Sequence, residues 1–540
     1  MIIEPNSKVW ICRDIPLDNS YEHTIAWGVT SDQTNYFLSK VKTVNGVPFA
    51  FNNVSYQRVS LGKIRLQKPV NELYDCNYMV FQNTGFGNKY FYAFINNVEY
   101  VNNVTSEISY EIDILQTWWF EAHPQDCFIE RQTPAIDRIG NNLVDEGLEL
   151  GDYVTSTQGE IINSLSPDGY DPLYMVLWGA FHLTEDGATN HYEGEYISGL
   201  YCGINGLPTP CTPAGTEAAN LVISWLGANA NAMVCISTMP RIFATKHPGD
   251  EPIGHTFNVP GRPFKGMGID GYVPKNMKLY TYPYYFFTVS TPDGSDSEYK
   301  YEYFDANNDV TLRLTCNMAP DTQVVLWPRH YRGELDNWDE KLMLTGFPML
   351  PYSTDTYRAW LAQHETVQRA QLISTGASAL GGLGQMAAGA PLAAMGNPVG
   401  MVQMASGATQ LSSAFSNVMG ILAQRKQAEV LPRAAHKGGA STMTAMRKQD
   451  FFFHTKSVRA EFARIIDDYF TKYGYAMHIV ATPNLHARTE WTFIKTRGAK
   501  VDGRMPNDAR RAWEQILDNG LTVWEHANHV GNYSLENEEW

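Results

Sequence analysis

This 540-residue chain contains two pairs of neighbouring carboxylates that could do acid–base chemistry. They are Glu111 with Asp113 and Asp467 with Asp468. A glycosidase needs two carboxylates held across a cleft from one another. We interpret these two pairs instead as solvated faces, the first on a strand and the second on a helix. The sequence therefore does not favour a hydrolase site at either pair.

Other patterns that would indicate catalysis or metal binding are missing from the sequence. His526 and His529 lie outside any His-Glu-x-x-His pattern, and we interpret them as a structural or exposed pair. The run Gly381–Gly384 lacks the Lys-Ser/Thr that phosphate binding requires, and no Gly-x-Ser-x-Gly elbow occurs. The seven cysteines are scattered without Cys-x-x-Cys spacing. We therefore predict a protein that is not an enzyme and has no metal or other cofactor.

The composition of the chain favours β-strands, because its 30 Tyr and 24 Phe are residues that are common in strands. Residues 107–114 alternate polar and apolar side chains, which is typical of a strand with one buried face. An aromatic strand, Tyr90–Ile95, precedes them. A second aromatic strand, Tyr282–Val289, likewise precedes predicted strands at Tyr299–Phe304 and Val310–Leu314. The repeated layout indicates either two copies of one β-fold or two ordinary antiparallel meanders.

The longest unusual feature is an uncharged segment, Ala370–Gln424, which contains no Asp, Glu, Lys, Arg or His. Helical patterns flank it at Tyr357–Arg369 and Arg425–Glu429, and another amphipathic helix is predicted at Ala460–Tyr469. A bilayer core needs about 20 apolar residues per helix, so the segment is long enough for two passes. Its many Gly, Ala and Ser residues also suit close packing between helices. Three interpretations of this segment remain open. It forms buried core helices, a permanent membrane hairpin, or an element that enters a membrane only conditionally.

Charge restricts the possible partners of the chain, whose net charge is −16. A protein that binds nucleic acid tightly normally carries a basic patch. The net negative charge here therefore indicates either a role in solubility or a channel wall past which DNA slides. A basic cluster follows the uncharged segment and includes Arg425, Lys426, Arg433 and Lys437. It is either a solvated face or a contact for lipid headgroups or DNA. The N-terminus lacks a signal-peptide pattern, so we expect folding in a reducing cytoplasm.

Several blocks of sequence, in the same order and spacing, resemble one viral family. In chain order these blocks are Tyr78–Asn83, Gly87–Phe94, Glu111–Trp118, Asp145–Leu148, Tyr469–Tyr475, Pro483–Leu485, Asp518–Trp524 and Gly531–Glu538. They are similar to the tail knob proteins of small, protein-primed short-tailed bacteriophages (Salasmaviridae, picovirus type). Because the blocks span nearly the whole chain, the resemblance is more specific than one short motif. Residues 151–275 depart most from the family pattern.

The resemblance implies a mainly β fold with some α, built from β-barrel or sandwich domains of the tail-tube type, possibly duplicated. It implies a homohexameric tube in the virion tail, assembled in the host cytoplasm and attached to the lower collar, through which double-stranded DNA is ejected without sequence recognition. A receptor-binding tail adhesin without membrane activity and a tail-associated wall hydrolase are the alternatives.

The same resemblance implies that the helix-flanked apolar loop plugs the lumen and is released to penetrate the host cell membrane. The predicted membrane-active residues are Leu372, Leu380, Leu383, Met386, Leu392, Met395, Val399, Met401, Val402, Met404, Leu411, Phe415, Val418, Met419, Ile421 and Leu422.

Five segments are predicted along the chain. They are an N-terminal tube β domain at 1–150, an inserted loop-rich outer domain at 151–275, a second β tube segment at 276–350, a helical hairpin carrying the uncharged loop at 351–450, and a C-terminal segment at 451–540 that returns to the tube domain.

Overall fold

A computed structural model describes two compact parts of the chain. The described residues are 7–54, 62–166, 173–179, 205–210, 233–244, 254–317, 322–333, 337, 339–345, 347, 349–351 and 449–540. The first unit contains residues 1–151, 265–280 and 459–540, and the second contains 152–264 and 281–458. The chain therefore passes from one unit to the other four times.

Strands dominate the described residues, as predicted for a mainly β fold. The strands before residue 135 are β1 Ser7–Cys12, β2 His23–Ile25, β3 Thr43–Val44, β4 Val47–Pro48, β5 Ala50–Val54, β6 Lys63–Leu66, β7 Tyr78–Asn83, β8 Tyr90–Asn102, β9 Thr105–Ile112, β10 His123–Pro124 and β11 Cys127–Gln132. The next are β12 Tyr153–Glu160, β13 Leu173–Gly179, β14 Asn205–Pro210, β15 Met233–Pro240, β16 Gly254–Asn258, β17 Tyr285–Ser290, β18 Asp296–Tyr299, β19 Thr311–Cys316, β20 Val324–Arg329, β21 Leu342–Leu344 and β22 Met349–Pro351. The last are β23 Phe452–Val458, β24 Tyr475–Ala481, β25 Trp491–Arg497, β26 Val501–Asp502 and β27 Leu521–Trp524.

The described helices are short except for two near the C-terminus. The α-helices are α1 Thr30–Ser39, α2 Ile114–Trp118, α3 Ile161–Leu165, α4 Arg241–Ala244, α5 Ala460–Tyr473 and α6 Asn507–Asn519. Turns of 3₁₀ helix occur at Val70–Glu72, Thr84–Phe86, Met277–Tyr280 and Tyr301–Tyr303.

The first unit is built on two larger sheets. One has six antiparallel strands in the order β5-β1-β7-β8-β9-β6. The other has five strands in the order β2-β27-β25-β11-β24, in which β2 and β27 run parallel. Because side chains alternate between the faces of a strand, β7 places Met79 and Phe81 in one core cluster and Tyr78 and Val80 in another.

Helices α5 and α6 follow the amphipathic pattern of the sequence. The helix predicted at Ala460–Tyr469 is confirmed, and α5 buries Ala463, Ile466 and Phe470 at helical spacing. Gly474 ends it with φ +61°, and a Cβ atom there would lie 2.3 Å from the Gln132 carbonyl carbon. Only glycine fits this left-handed, crowded position.

The described residues of the second unit form three four-stranded sheets, with strand orders β12-β23-β17-β18, β14-β13-β15-β22 and β16-β19-β20-β21. The prediction of a strand at Tyr299–Phe304 is wrong, because β18 ends at Tyr299 and a 3₁₀ turn follows. Tyr301, the first residue of this turn, is buried, and its ring packs against Tyr285 and Phe287 of β17. The two aromatic strands compared above, β8 and β17, belong to sheets with different strand orders.

Candidate functional site

The residues predicted to be membrane-active, from Leu372 to Leu422, lie outside the described residues. So do the cations Arg425, Lys426, Arg433 and Lys437. Their assignment to a plug or to headgroup and DNA contact therefore stays a prediction. The structure does describe the strands that precede and follow them in the chain.

Those two strands, β22 and β23, belong to different sheets of the second unit. Strand β22 pairs with β15, and β23 lies between β12 and β17. Asp450, two residues before β23, is buried and accepts backbone N–H groups from Ile162, Asn163 and Phe451 at 2.6, 2.8 and 2.7 Å. It therefore joins the start of β23 to the first turn of α3.

The prediction that Glu111 and Asp113 form a solvated face is wrong for Asp113. Glu111 is exposed, but Asp113 is only 2% exposed because the chain turns there from β9 into α2. Asp113 caps α2 by accepting the Gln116 N–H at 3.0 Å, and it accepts the Tyr78 hydroxyl at 2.8 Å. Burial raises the pKa of Asp113 to about 7.

The prediction for the second acidic pair is wrong in the same way, because Asp468 is exposed whereas Asp467 is 1% exposed. Asp467 accepts hydrogen bonds from the segment Lys265–Tyr280, which belongs to the first unit and which we call the strap. Its carboxylate accepts the Tyr272 hydroxyl at 2.6 Å and the backbone N–H groups of Lys275 and Asn276 at 2.8 and 3.0 Å. These donors replace water, so the carboxylate holds the strap on α5.

A second buried carboxylate, Glu146, contacts the strap further along. Its side chain has no exposed area and forms ion pairs with Arg131 and with Lys278 of the strap. It also accepts the Ala476 N–H at 2.9 Å, which lies at the start of β24. Burial lowers the pKa of Lys278, and Glu146 opposes that shift. The three charges link β11, the strap and β24.

A third carboxylate, Asp137, lines a cavity of about 560 Å³ in the first unit. One oxygen accepts the Met277 N–H at 3.1 Å and the Tyr475 hydroxyl at 2.9 Å, and burial raises the pKa of Asp137. Among the described residues, the other oxygen has no hydrogen-bond partner. Other residues around the cavity include Lys275, Arg488, Trp491, Asn537 and Glu539.

Two histidines pair with glutamates near the end of the chain. His529 Nδ1 lies 2.7 Å from Glu490, and His486 Nδ1 lies 2.7 Å from Glu525, which raises the pKa of His486. The rings of His526 and His529 are 5.3 Å apart, and His526 is exposed whereas His529 is half-buried. Within the described ranges, no group of three His, Cys, Asp or Glu side chains has the geometry to hold a metal ion.

The buried carboxylates act as hydrogen-bond acceptors that join segments distant in sequence. Sequence reasoning missed Asp137 entirely, and it treated Glu146 only as part of the block Asp145–Leu148. Their role depends on partners more than 100 residues away, such as Lys278 and Met277. In the part of the chain that the structure describes, no helix has the length and apolar character needed to cross a membrane.

Comparisons with known proteins define the class to which this architecture belongs. Residues 5–123 match the family described as Caudoviral major tail protein N-terminus. The fold is similar to that of the tail knob protein gp12 of bacteriophage C1, with a TM-score of 0.60 at 11% sequence identity. That similarity covers 98% of this chain and 99% of the other. The chain thus has a fold found in bacteriophage tail proteins.

A second family model narrows this class. Residues 256–538, more than half of the chain, match the family described as Bacillus phage phi29 tail knob protein gp9, C-terminal domain, and the chain belongs to this family. The tail knob proteins gp9 of Bacillus phages phi29 and PZA are 25% and 26% identical to it. Each comparison covers 98% of both chains. The resemblance to tail knob proteins is confirmed, and as a tail protein the chain assembles with other proteins of the virion tail.

Proposed function

We propose that this chain forms the distal tail tube, or knob, of a short-tailed phage as a homohexamer that conducts the genome during ejection. Membership of the tail knob family supports this proposal. The lower collar lies above the tube, and double-stranded DNA passes through the lumen. Within this proposal, residues 1–150 and 451–540 build the tube domain, 276–350 add a second tube segment, and 151–275 form an outer domain.

Net charge supports passage of DNA without recognition of its sequence. Each copy carries a net charge of −16, so a ring of six is strongly negative overall, and we propose that the wall facing the lumen shares this charge. Phosphates are repelled by such a wall, which keeps the duplex from binding to it. No cofactor is needed, and the proposed function is structural instead of enzymatic.

The observation that carries the membrane part of the proposal is the uncharged segment Ala370–Gln424. Its place in the chain lies between β22 and β23 of the second unit. We propose that six such segments plug the lumen as a helical hairpin bundle within 351–450. Because a bilayer offers an alternative environment for the same apolar surface, contact with the host membrane shifts the population from lumen to lipid.

Dye release from liposomes tests this proposal. The purified full-length protein is compared with a variant that lacks residues 381–407, and both are first checked for assembly by electron microscopy. We expect leakage with the intact protein only, because the deletion removes about half of the apolar segment and leaves too little for two membrane passes. Equal leakage from both assemblies, or none from either at any pH tested, would contradict membrane penetration by this segment.

The basic cluster gives a second, separable readout. Replacing Arg425, Lys426, Arg433 and Lys437 with Gln removes the charges proposed to contact anionic headgroups or DNA. We expect weaker leakage from anionic liposomes and unchanged leakage from neutral ones, since each cation near an anionic surface contributes about 1 kcal/mol. Full activity on both lipids would assign these cations to a solvated face.

A further inference from the structure

The strap, Lys265–Tyr280, is attached to the first unit differently from any strand of that unit. Strand β25, for comparison, pairs with β11 and β27 through backbone ladders on both sides. The hydrogen bonds that join Tyr272, Lys275, Asn276 and Met277 of the strap to the rest of the first unit each involve at least one side chain. The strap is therefore docked by side chains and is not woven into a sheet.

The two ends of the strap differ in burial. The 3₁₀ turn Met277–Tyr280 is buried throughout, with Leu279 and Tyr280 at 0% exposed. Between Lys265 and Lys275 burial is mixed. The exposed side chains are Lys265, Asp270, Val273 (52% exposed) and Lys275, whereas Ile269 is 1% exposed and Pro274 is buried. Burial of apolar area therefore fixes the end of the strap but contributes less to its beginning.

Asp467 supplies most of the hydrogen bonds found for the exposed beginning of the strap. One carboxylate oxygen accepts from Tyr272 and from the Lys275 N–H, and the other accepts the Asn276 N–H and its side-chain amide at 2.8 Å. Asp137 and Glu146, in contrast, contact Met277 and Lys278 in the buried turn. Asp270 adds one bond by accepting the Ala460 N–H at 3.0 Å, and the Met267 carbonyl accepts the Tyr280 hydroxyl at 2.7 Å. Asp467 is thus the main polar anchor of residues 265–276, beside the packing of Ile269 and Pro274.

We propose that residues 265–276 form a latch, which Asp467 holds closed and which opens while the turn Met277–Tyr280 and the sheets of the first unit stay in place. The chain before the latch belongs to the second unit, whose strands flank the uncharged segment. An open latch of 12 residues becomes a tether that can extend to about 40 Å. The inference rests on the proposed function, in which that unit must change state when the genome is released.

Hydrogen exchange of the full-length protein, read by mass spectrometry, tests the latch. Asp467→Asn replaces one carboxylate oxygen, which accepts from two donors, with an amide nitrogen that itself donates. We expect about 100-fold faster exchange of the amides at residues 265–276, with unchanged protection at 277–280 and in β25. Asp468→Asn, the exposed neighbour on the same helix, is the matched control and should exchange like the native chain.

Tyr272→Phe provides a milder variant in case Asp467→Asn does not fold, because it removes one donor and leaves the carboxylate in place. We expect about 5-fold faster exchange in the same 12 residues. Unchanged exchange in both variants, or acceleration that spreads equally to 277–280 and β25, overturns the latch. These outcomes are independent of liposome leakage, so the latch and the proposed function can fail separately.

Discussion

Each of the two units contains a buried aspartate that caps a five-residue helix, but the two aspartates come from different distances along the chain. In the first unit, Asp113 immediately precedes α2 and accepts the Gln116 N–H three residues later. In the second, Asp450 caps α3 from 288 residues beyond Ile162. The N–H groups in the first turn of a helix lack partners within that helix, so the N-termini of α2 and α3 each need an acceptor. The same physical requirement is met once locally and once by a distant segment.

The difference determines what each aspartate holds together. Asp113 fixes the turn between β9 and α2, and through the Tyr78 hydroxyl it joins that turn to β7. Asp450 fixes the start of β23, the strand that follows the uncharged segment, to the corner between β12 and α3. A local cap stabilises one element, whereas the distant cap stabilises the position at which the chain re-enters its sheet.

The largest expected effect is the loss of the distant cap. Asp450→Ala leaves three buried backbone N–H groups without their acceptor. We expect the free energy of unfolding of the second unit to fall by about 3 kcal/mol, against about 1.5 kcal/mol in the first unit for Asp113→Ala. Urea unfolding, with hydrogen exchange at α3 and α2 to separate the units, measures both losses.

Asp296→Ala is the control for this comparison, because Asp296 is exposed on β18 of the second unit. It should change the free energy of unfolding by less than about 0.5 kcal/mol. If Asp450→Ala cost no more than Asp113→Ala, the number of backbone donors would not set the strength of the cap.

The same contrast explains which features the sequence could predict. The strand at 107–114 and the helix from Ala460 were predictable, because alternation and helical spacing are local patterns; the strand is β9, Thr105–Ile112. Asp113 precedes Ile114 and Gln116 in a local N-cap pattern that sequence reasoning passed over in favour of a solvated face. A closer inspection of that pattern would have found the cap.

Asp450 and Asp467 could not have been found in this way. Their partners, Ile162 and Tyr272, are 288 and 195 residues away, and no local period records such contacts. Asp467 lies on α5 between Ile466 and Asp468, where the helical pattern alone does not show which carboxylate faces the unit. Chain topology, and not local propensity, buries these side chains and supplies their donors.

A pH dependence common to both caps is the next expected effect. Burial raises the pKa of Asp113 and of Asp450 to about 7, from the ordinary aspartate value of 3.8, and the negative charge of Glu160 adds to the rise at Asp450. Each folded carboxyl therefore holds its proton more tightly than the unfolded one. The free energy of unfolding should fall as pH rises between these values and level off above about pH 7.

Urea midpoints at about pH 5 and about pH 7 measure this fall, which we expect to be roughly 2 kcal/mol for each group. Asp113→Asn should remove this pH dependence from the stability of the first unit, and Asp450→Asn should remove it from the stability of the second. A pH profile that neither variant alters would show that other groups titrate in its place.

The smallest effect separates the two caps by their chemistry. Tyr78 is fully buried and donates its hydroxyl to Asp113 at 2.8 Å, whereas the donors found at Asp450 are all backbone N–H groups. Tyr78→Phe therefore weakens the first cap without touching α2 itself. We expect a loss of about 1 kcal/mol in the free energy of unfolding of the first unit, measured by urea unfolding.

The direction of the accompanying change in pKa makes this test specific. The Tyr78 hydroxyl lowers the pKa of Asp113 by stabilising its charged form, so Tyr78→Phe should raise that pKa further. The loss of stability should consequently be larger at about pH 8 than at about pH 5, where the carboxyl is protonated in the folded chain. Tyr92→Phe, whose hydroxyl lies 3.3 Å from Thr34, is the matched control in the same core cluster and should show no such dependence on pH. Equal losses at both pH values would mean that Asp113 does not titrate in this range.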